Sequence, residues 1–405
     1  MPGNLRDRLK RIQSLKQDGG ENTKSERTGN GVCCIDTSFF IEKGWVSAGY
    51  MTLRRDIIAD KKIQLPKKLP QTVRNIISGI SDSTVYEDLL FFDLETTGLS
   101  GGAGTIAFLA AFGRLVPAGN EKSETGVHAL HITQYLLLDY PGENDFITAL
   151  SGEFTDNTIV SYNGKCFDSQ ILKSRCLMSG IIPPDYSHVD LLYPARRLWK
   201  RLLPNCSQAT IETTILGIDR TGDIPGAMAP EIWFAFLKNG GAGPLFGICE
   251  HNRKDIEGLA SVFSAMTRVA DDPIGASKKI KFDIETLAIN LNNTELLRHA
   301  AGEGYQRAGL QYGLALMRAG NFQEGREWLS KAADGAAVGG TAVISVSALR
   351  AMAIDSEHRL KNANEALELT ERGLGLLPSD SSWLKEFEKR RQRLFKKLYP
   401  GKPQV

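Results

Sequence analysis

The segment FFDLETTG at 91–98 constrains this chain most, because an apolar run there ends in Asp93-Leu94-Glu95. Strand side chains repeat every second residue, so a strand over 88–94 leaving a sheet at this point sends both carboxylates to one side. Paired carboxylates at a strand end suit a divalent metal, whereas acids and Thr-Thr-Gly are also ordinary turn punctuation. The residues downstream decide between the two readings.

After the Gly-rich turn GLSGGAG, the stretches TIAFLAAFGRL at 105–115 and GVHALHITQYLLLD at 126–139 read as two more strands. Their short connections predict an antiparallel meander. A helix over 142–151, a strand at 158–162 (TIVSY), a helix closing at Gly180 and a strand at 188–192 (HVDLL) then alternate, and helical segments run on to about 268. Antiparallel strands followed by strand–helix alternation predict an α/β domain with a mixed sheet over 86–270. Ahead of it, residues 36–85 have a mixed pattern: GWVSAGYMTLRRDIIAD fits strand or helix and LPKKLP breaks it, so this is read as a lead-in segment. Residues 1–35 are basic, then polar and Gly-rich (DGGENTKSERTGNG), which predicts a disordered tail outside the fold.

Past Asp271-Asp272-Pro273 the strand pattern stops. A helical linker over 271–300 and an all-α domain over 301–400 are expected, with GLQYGLALMRAGNFQEGREWLSKA reading as helix, tight Gly-Asn turn and helix. At 405 residues the chain exceeds the usual single core, in keeping with two domains plus tails. A formal charge of +2 announces no polyanionic partner for the chain as a whole, so any basic surface is local. Six cysteines without a Cys-x-x-Cys pair argue against a zinc ribbon or a disulfide framework and fit a reduced cytoplasm. No run approaches the roughly 18 apolar residues of a membrane-spanning helix, so no membrane partner is expected.

Three further positions join Asp93 and Glu95. Asp168 falls in the first turn of the helix after the 158–162 strand, Asp255 lies in the helical CEHNRKDIEGLASVF, and His251 precedes Asp255 by one helical turn. The apolar stripe Leu245, Cys249, Ile256, Leu259, Phe263 and Met266 leaves His251 and Asp255 at its edge, facing a cleft. Hard carboxylate oxygens match Mg²⁺ or Mn²⁺. Such a set suits phosphodiester hydrolysis by two cations about 3.5–4 Å apart, with an imidazole taking the proton of the attacking water.

The blocks Asp93-Leu94-Glu95-Thr96-Thr97-Gly98, Asn163-Gly164-x-x-Phe167-Asp168 and His251-x-x-x-Asp255 resemble the three motifs of the DEDD exonuclease superfamily, which has a ribonuclease-H-like fold. GLSGGAGT, DIPGAMAP at 223–230 and the His-Asn-x-x-Asp block resemble more closely the YprB-type ribonuclease-H-like proteins, a bacterial family often followed by TPR-like helices. The resemblance implies a ribonuclease-H-like mixed sheet flanked by helices and then an all-α TPR-like domain. It also implies a 3′-to-5′ exonuclease with two Mg²⁺ or Mn²⁺, Asp93, Glu95, Asp168 and Asp255 as metal ligands, and His251 as general base. Its substrate would be a single-stranded end of DNA or RNA, and a protein partner would dock on the TPR-like array. The spacing of three residues before Asp255 is that of the tyrosine-type branch, since the histidine branch usually separates base and aspartate further.

Blander readings compete. An acid in a helix's first turn is stabilised by the helix dipole, so Asp168 has a structural alternative. Asn163 reads as a cap or turn former, and Asp190 reads as a supporting group. The glycines at 98, 101, 102 and 104 precede a strand rather than a helix, which argues against a dinucleotide fingerprint. Gly313, Gly320, Gly325 and Ala332, with Ala366 and Pro378, fall near TPR positions, but Gly325 and Ala366 are 41 apart where about 34 is usual. GAAVGGTAVIS at 335–345 is read as an insert, and a plain helical hairpin array is the alternative. The last helix carries Arg390, Arg391, Arg393, Lys396 and Lys397 with Phe387 and Phe395 interleaved, a solvated face or a phosphate contact. Two alternatives to an exonuclease stand beside it: a non-catalytic nucleic-acid-binding scaffold, and a structure-selective endonuclease.

Overall fold

Among the described residues eight strands form one sheet: β1 (Val46–Gly49), β2 (Thr52–Ile58), β3 (Ile63–Pro66), β4 (Leu89–Thr96), β5 (Ala107–Pro117), β6 (Thr125–Leu137), β7 (Thr158–Ser161) and β8 (Ser187–Asp190), in the order β1-β2-β6-β5-β4-β7-β8 with β3 also paired to β6. The computed structural model from which this is read describes residues 35–98, 104–118, 125–155, 157–335 and 342–400. Residues 1–34 of the expected tail, 99–103 of the Gly-rich turn and 336–341 of the expected insert lie outside the described residues.

Strands β4, β5 and β6 are the expected antiparallel meander, and β7 and β8 run parallel to β4. The segment read from sequence as a lead-in contributes β1, β2 and β3, which raises five expected strands to eight. Strand β6 makes this arrangement work, because its 13 residues leave room on one edge for two partners. Strand β2 pairs with 131–137 and β3 with 125–128.

The helices are α1 (Ser38–Glu42), α2 (Glu143–Glu153), α3 (Asp168–Met178), α4 (Leu192–Trp199), α5 (Gln208–Thr214), α6 (Ala229–Asn239), α7 (Ala242–Asp271) and α8 (Pro273–Ser277), followed by α9 (Ile284–Leu291), α10 (Thr294–Gly302), α11 (Gln306–Arg318), α12 (Phe322–Asp334), α13 (Ala342–His358), α14 (Ala363–Leu376) and α15 (Leu384–Leu398). The central strand β4 buries both its faces. Phe92 packs with Phe112 and Phe154 on one face, at ring separations of 5.1 Å. Phe91 meets Phe263 of α7 on the other, at 5.6 Å. The 30-residue α7 is about 45 Å long at 1.5 Å per residue, and it packs against β3, β4, β5 and β6. It comes closest at Gly113 of β5, where a Cβ would stand only 2.6 Å from Ile256 Cγ2. The stripe expected to be apolar, from Leu245 to Met266, is buried.

The sheet's core continues into the helices beyond it. One contiguous apolar cluster runs from Ala59 through Leu198 and Trp199 to Leu287, Leu296, Ala308 and Leu316. Trp199 Nε1 also donates to the Lys281 carbonyl at 2.9 Å. Helices α11 and α12 cross where Gly313 and Gly325 let the two backbones touch, since a Cβ on either would lie 3.1 Å from the other's carbonyl oxygen. In α15 the interleaved aromatics are not free to stack on bases. Phe387 is fully buried in a slot left by Gly373, and Phe395 lies against Tyr399. Two of the five basic residues are already paired: Arg390 and Arg393 both reach Glu357.

Candidate active site

Asp93 and Glu95 project from β4 on the side of Phe91, toward α7. The side-chain period of two puts them there, and the apolar residues between them anchor the opposite face. Helix α7 answers with three side chains. Asn252, fully buried, donates from Nδ2 to Asp93 Oδ2 at 2.8 Å. His251 Nε2 lies 3.2 Å from Asp255 Oδ2 and 4.0 Å from Glu95 Oε1. Three residues between His251 and Asp255 therefore suffice to bring the imidazole to the carboxylates.

Among the described residues, Glu95, His251 and Asp255 offer ligand atoms that all lie within 4.8 Å of one another. Asp93 and Asp168 are outside this tightest group but belong to the same electrostatic field. Burial, and then the charges of Asp255, Asp168 and Glu95, push the Asp93 carboxyl well above its ordinary range, and the Asn252 hydrogen bond only partly offsets them. Burial with Asp255 and Asp168 does the same to Glu95. Asp168 is pushed up to about 7 by burial and by the charge of Asp190. At Asp255 burial also raises the carboxyl, opposed by His251 and Arg220.

Asp168 is placed by the loop between β7 and α3. Asn163 there takes a left-handed conformation at φ 63°, which asparagine tolerates better than most residues. Asp190, at the end of β8, holds the turn by accepting from the amides of Asn163 at 2.8 Å, Leu192 at 3.0 Å and Lys165 at 3.3 Å. Asn163 is thus a turn former and Asp190 a supporting group, as their sequence contexts suggest. Gly164 packs against the carboxylate, since a Cβ there would be 2.7 Å from Asp168 Oδ2.

Four residues of the site carried no sequence assignment: Asn252, Asp223, Arg220 and Glu212. Asp223 Oδ2 sits 3.0 Å from His251 Nδ1, so the ring's other nitrogen, Nε2, is the one turned toward Glu95 and Asp255. Burial works against the Asp223 charge, but the hydrogen bond from His251 and the charges of His251, Lys254 and Arg220 outweigh it and hold the carboxyl below its usual range. Arg220 donates from Nε to Glu212 Oε2 at 2.6 Å, from Nη1 to Asp223 Oδ2 at 2.8 Å, and from Nη2 to Asp255 Oδ1. Glu212 is completely buried, in a space that Gly258 leaves open on α7. Gly226 lets the backbone of the 223–228 turn close onto the ring, since a Cβ there would stand only 2.9 Å from His251 Nε2.

Behind Asn252 a second chain of contacts fixes its orientation. Arg55 of β2 donates to Gln134 Oε1 at 2.6 Å, and Gln134 Nε2 donates to Asn252 Oδ1 at 3.0 Å and to the Cys249 carbonyl at 2.8 Å. The amide of Asn252 therefore presents its NH₂ to Asp93 rather than its oxygen.

The donor set fits a hard divalent cation. Four carboxylates converge on one side of β4; burial raises the affinity of each for protons and the charges of their neighbours add to it at Asp93 and Glu95, a field that a bound cation would relieve. Asp93, Glu95, Asp168 and Asp255 are the residues that would hold it.

Two comparisons with known proteins agree with this geometry. A model of the ribonuclease H superfamily matches residues 90–267, from β4 to near the end of α7. The Bacillus subtilis (strain 168) protein named only as uncharacterized protein YprB is 37% identical over 184 residues, which is 45% of this chain and 42% of that one. The match thus spans less than half the length of this relative.

Proposed function

We propose that this chain, which belongs to the ribonuclease H superfamily through residues 90–267, is a metal-dependent 3′-to-5′ exonuclease acting on single-stranded DNA or RNA. The observation that carries the reading is the convergence of Glu95, His251 and Asp255 within 4.8 Å, beside Asp93 and Asp168. Two bound Mg²⁺ or Mn²⁺ would supply Lewis-acid stabilisation of the attacking and departing oxygens. The four carboxylates orient that centre and offset its charge beside a polyanion. His251, held at Nδ1 by Asp223, presents Nε2 on the carboxylate side, where it can take the proton of an attacking water. Arg220 keeps Asp223 in place from the far side.

The order of the blocks along the chain supports exonuclease rather than endonuclease action, because it is the order of the DEDD motifs: Asp-x-Glu on the first core strand, Asp168 opening a helix, and His251 with Asp255 on a late helix. An exonuclease needs an end. Incubation of linear and circular single strands of the same sequence with Mn²⁺ tests this, and loss of the linear strand alone is expected. Equal loss of the circle would make the site that of an endonuclease.

A further inference from the structure

A cleft of about 770 Å³ lies between the β3 end of the sheet and α8, lined by Lys67, Lys68, Arg268 and Lys279. A second hollow of about 310 Å³ adjoins it, sharing Gln64, Arg268 and Lys279 and adding Lys61 and Lys62. Six cations therefore converge in a chain whose formal charge is only +2. Among the described residues none of the six is in an ion pair. Two acids share the rim. Asp272 is occupied in capping α8, where it accepts from the Gly275 amide at 2.8 Å, and Asp271 is raised by partial burial and by the charge of Asp272. Pro66, Leu69 and Pro70 add apolar side chains to the lining, with Gln64 beside them.

The cleft and the carboxylate cluster are two stations on one helix. Asp255 and Arg268 are both on α7, 13 positions apart, a rise of about 20 Å along the helix axis at 1.5 Å per residue. The same step turns about 220° around the helix, so the two lie on different faces and a strand joining them covers at least the length of about six stacked nucleotides at 3.4 Å each. A volume of this size is in the range of small-molecule pockets, which admits a single strand a few nucleotides at a time and not a duplex. Positive charge that tracks a backbone, with apolar surface for sugars and bases, is how proteins hold single strands without reading their sequence.

We propose that this cleft binds the phosphate backbone of a single-stranded nucleic acid at least about six nucleotides upstream of the end held at Asp93, Glu95 and Asp255. The identity of the end rests on the exonuclease reading, but the binding of the backbone does not, so the two are tested separately. The full chain is titrated against 5′-fluorescein oligothymidylates of about 4 and about 20 nucleotides in EDTA, over a series of salt concentrations, and its hydrolysis of the p-nitrophenyl ester of thymidine 5′-monophosphate is measured with Mn²⁺. Two variants are compared with wild type: Lys67→Gln/Lys68→Gln and Arg268→Gln/Lys279→Gln.

Each variant is expected to bind the longer oligonucleotide at least fivefold more weakly. Its plot of log affinity against log salt should be shallower by about 1.4, at about 0.7 per lost phosphate contact, with binding of the shorter strand and ester hydrolysis unchanged. Wild-type affinity and salt slope in both variants would overturn the proposal, as would equal binding of wild type to polyglutamate of matched charge. Absence of ester hydrolysis in every protein would count against the hydrolase reading alone, since the binding arm needs no metal.

Discussion

Asn252 Nδ2 donates to Asp93 Oδ2 across 2.8 Å, joining the long helix to the central strand over 159 residues of sequence. The contact has a direction because Gln134 holds the other end of the amide. Asn252→Ala leaves Asp93 and Gln134 without their partner. Turnover should fall about 10–100-fold, as for other groups that orient metal ligands, and stability by about 1–3 kcal/mol. Cleavage kinetics and urea melts read the two effects, and unchanged turnover would make the contact incidental to the chemistry.

In the mechanism proposed, Asp223 acts through His251, which it meets at 3.0 Å, rather than on substrate. Asp223→Asn keeps the shape but loses the charge that favours a proton on Nδ1, so a drop of about 10–100-fold in kcat is expected with KM nearly unchanged. A change confined to KM would instead place Asp223 in substrate binding.

Two glycines separate positioning from stability. Gly226→Ala forces a Cβ to within 2.9 Å of His251 Nε2, and should lower kcat while leaving the melting temperature within a few degrees. Gly113→Val crowds Ile256 between β5 and α7, and overpacking of this kind costs about 1–3 kcal/mol. The pair is measured together by thermal melting and turnover, and the account requires the two effects to fall on different variants.

Metal-free protein should lose stability as pH rises toward neutrality. Asp168 is raised to about 7 in the folded chain from about 3.9 when unfolded. Between those values the folded state holds a proton that the unfolded state has released. Its contribution is therefore full below about pH 4 and lost as pH rises through 7. Asp93 and Glu95 are shifted in the same direction. In EDTA, Asp168→Asn should melt above wild type at pH 8, by about 1 °C per kcal/mol of burial and repulsion penalty removed in a chain of this length, and less so at pH 5. Added Mg²⁺ should raise the wild-type melting temperature more at pH 8 than at pH 5, because the ligands must be deprotonated to bind. Identical melting of variant and wild type at pH 8 would contradict the electrostatic account.

Much of this was legible in the sequence, for physical reasons that differ between residues. Strands β4, β5 and β6 are long enough for their apolar pattern to speak, and α7 has a stripe that places His251 and Asp255 at its edge. Strands β1 and β3 were not legible because each is only four residues long, and β2 was not because its Arg55 reads as a surface residue until Gln134 and Glu250 are seen to receive it. Asp223 stood in the DIPGAMAP block, yet nothing local marks it as the partner of a histidine 28 residues on. Glu212 and Arg220 are invisible for the same reason: an ion pair across loops has no period. In α15 the alternation of Phe and basic residues left a solvated face and a phosphate contact both open, but the spacing of Phe387 is equally that of a core residue, and Gly373 opens the slot that buries it.

The central claim is tested most directly by cleavage of 5′-labelled single-stranded DNA and RNA with Mn²⁺ or Mg²⁺, comparing wild type with Asp93→Ala/Glu95→Ala. The account predicts a ladder that shortens from the 3′ end, made by wild type only and abolished by EDTA. Folded wild-type protein giving no metal-dependent product on either polymer, or a double variant as active as wild type, would contradict it.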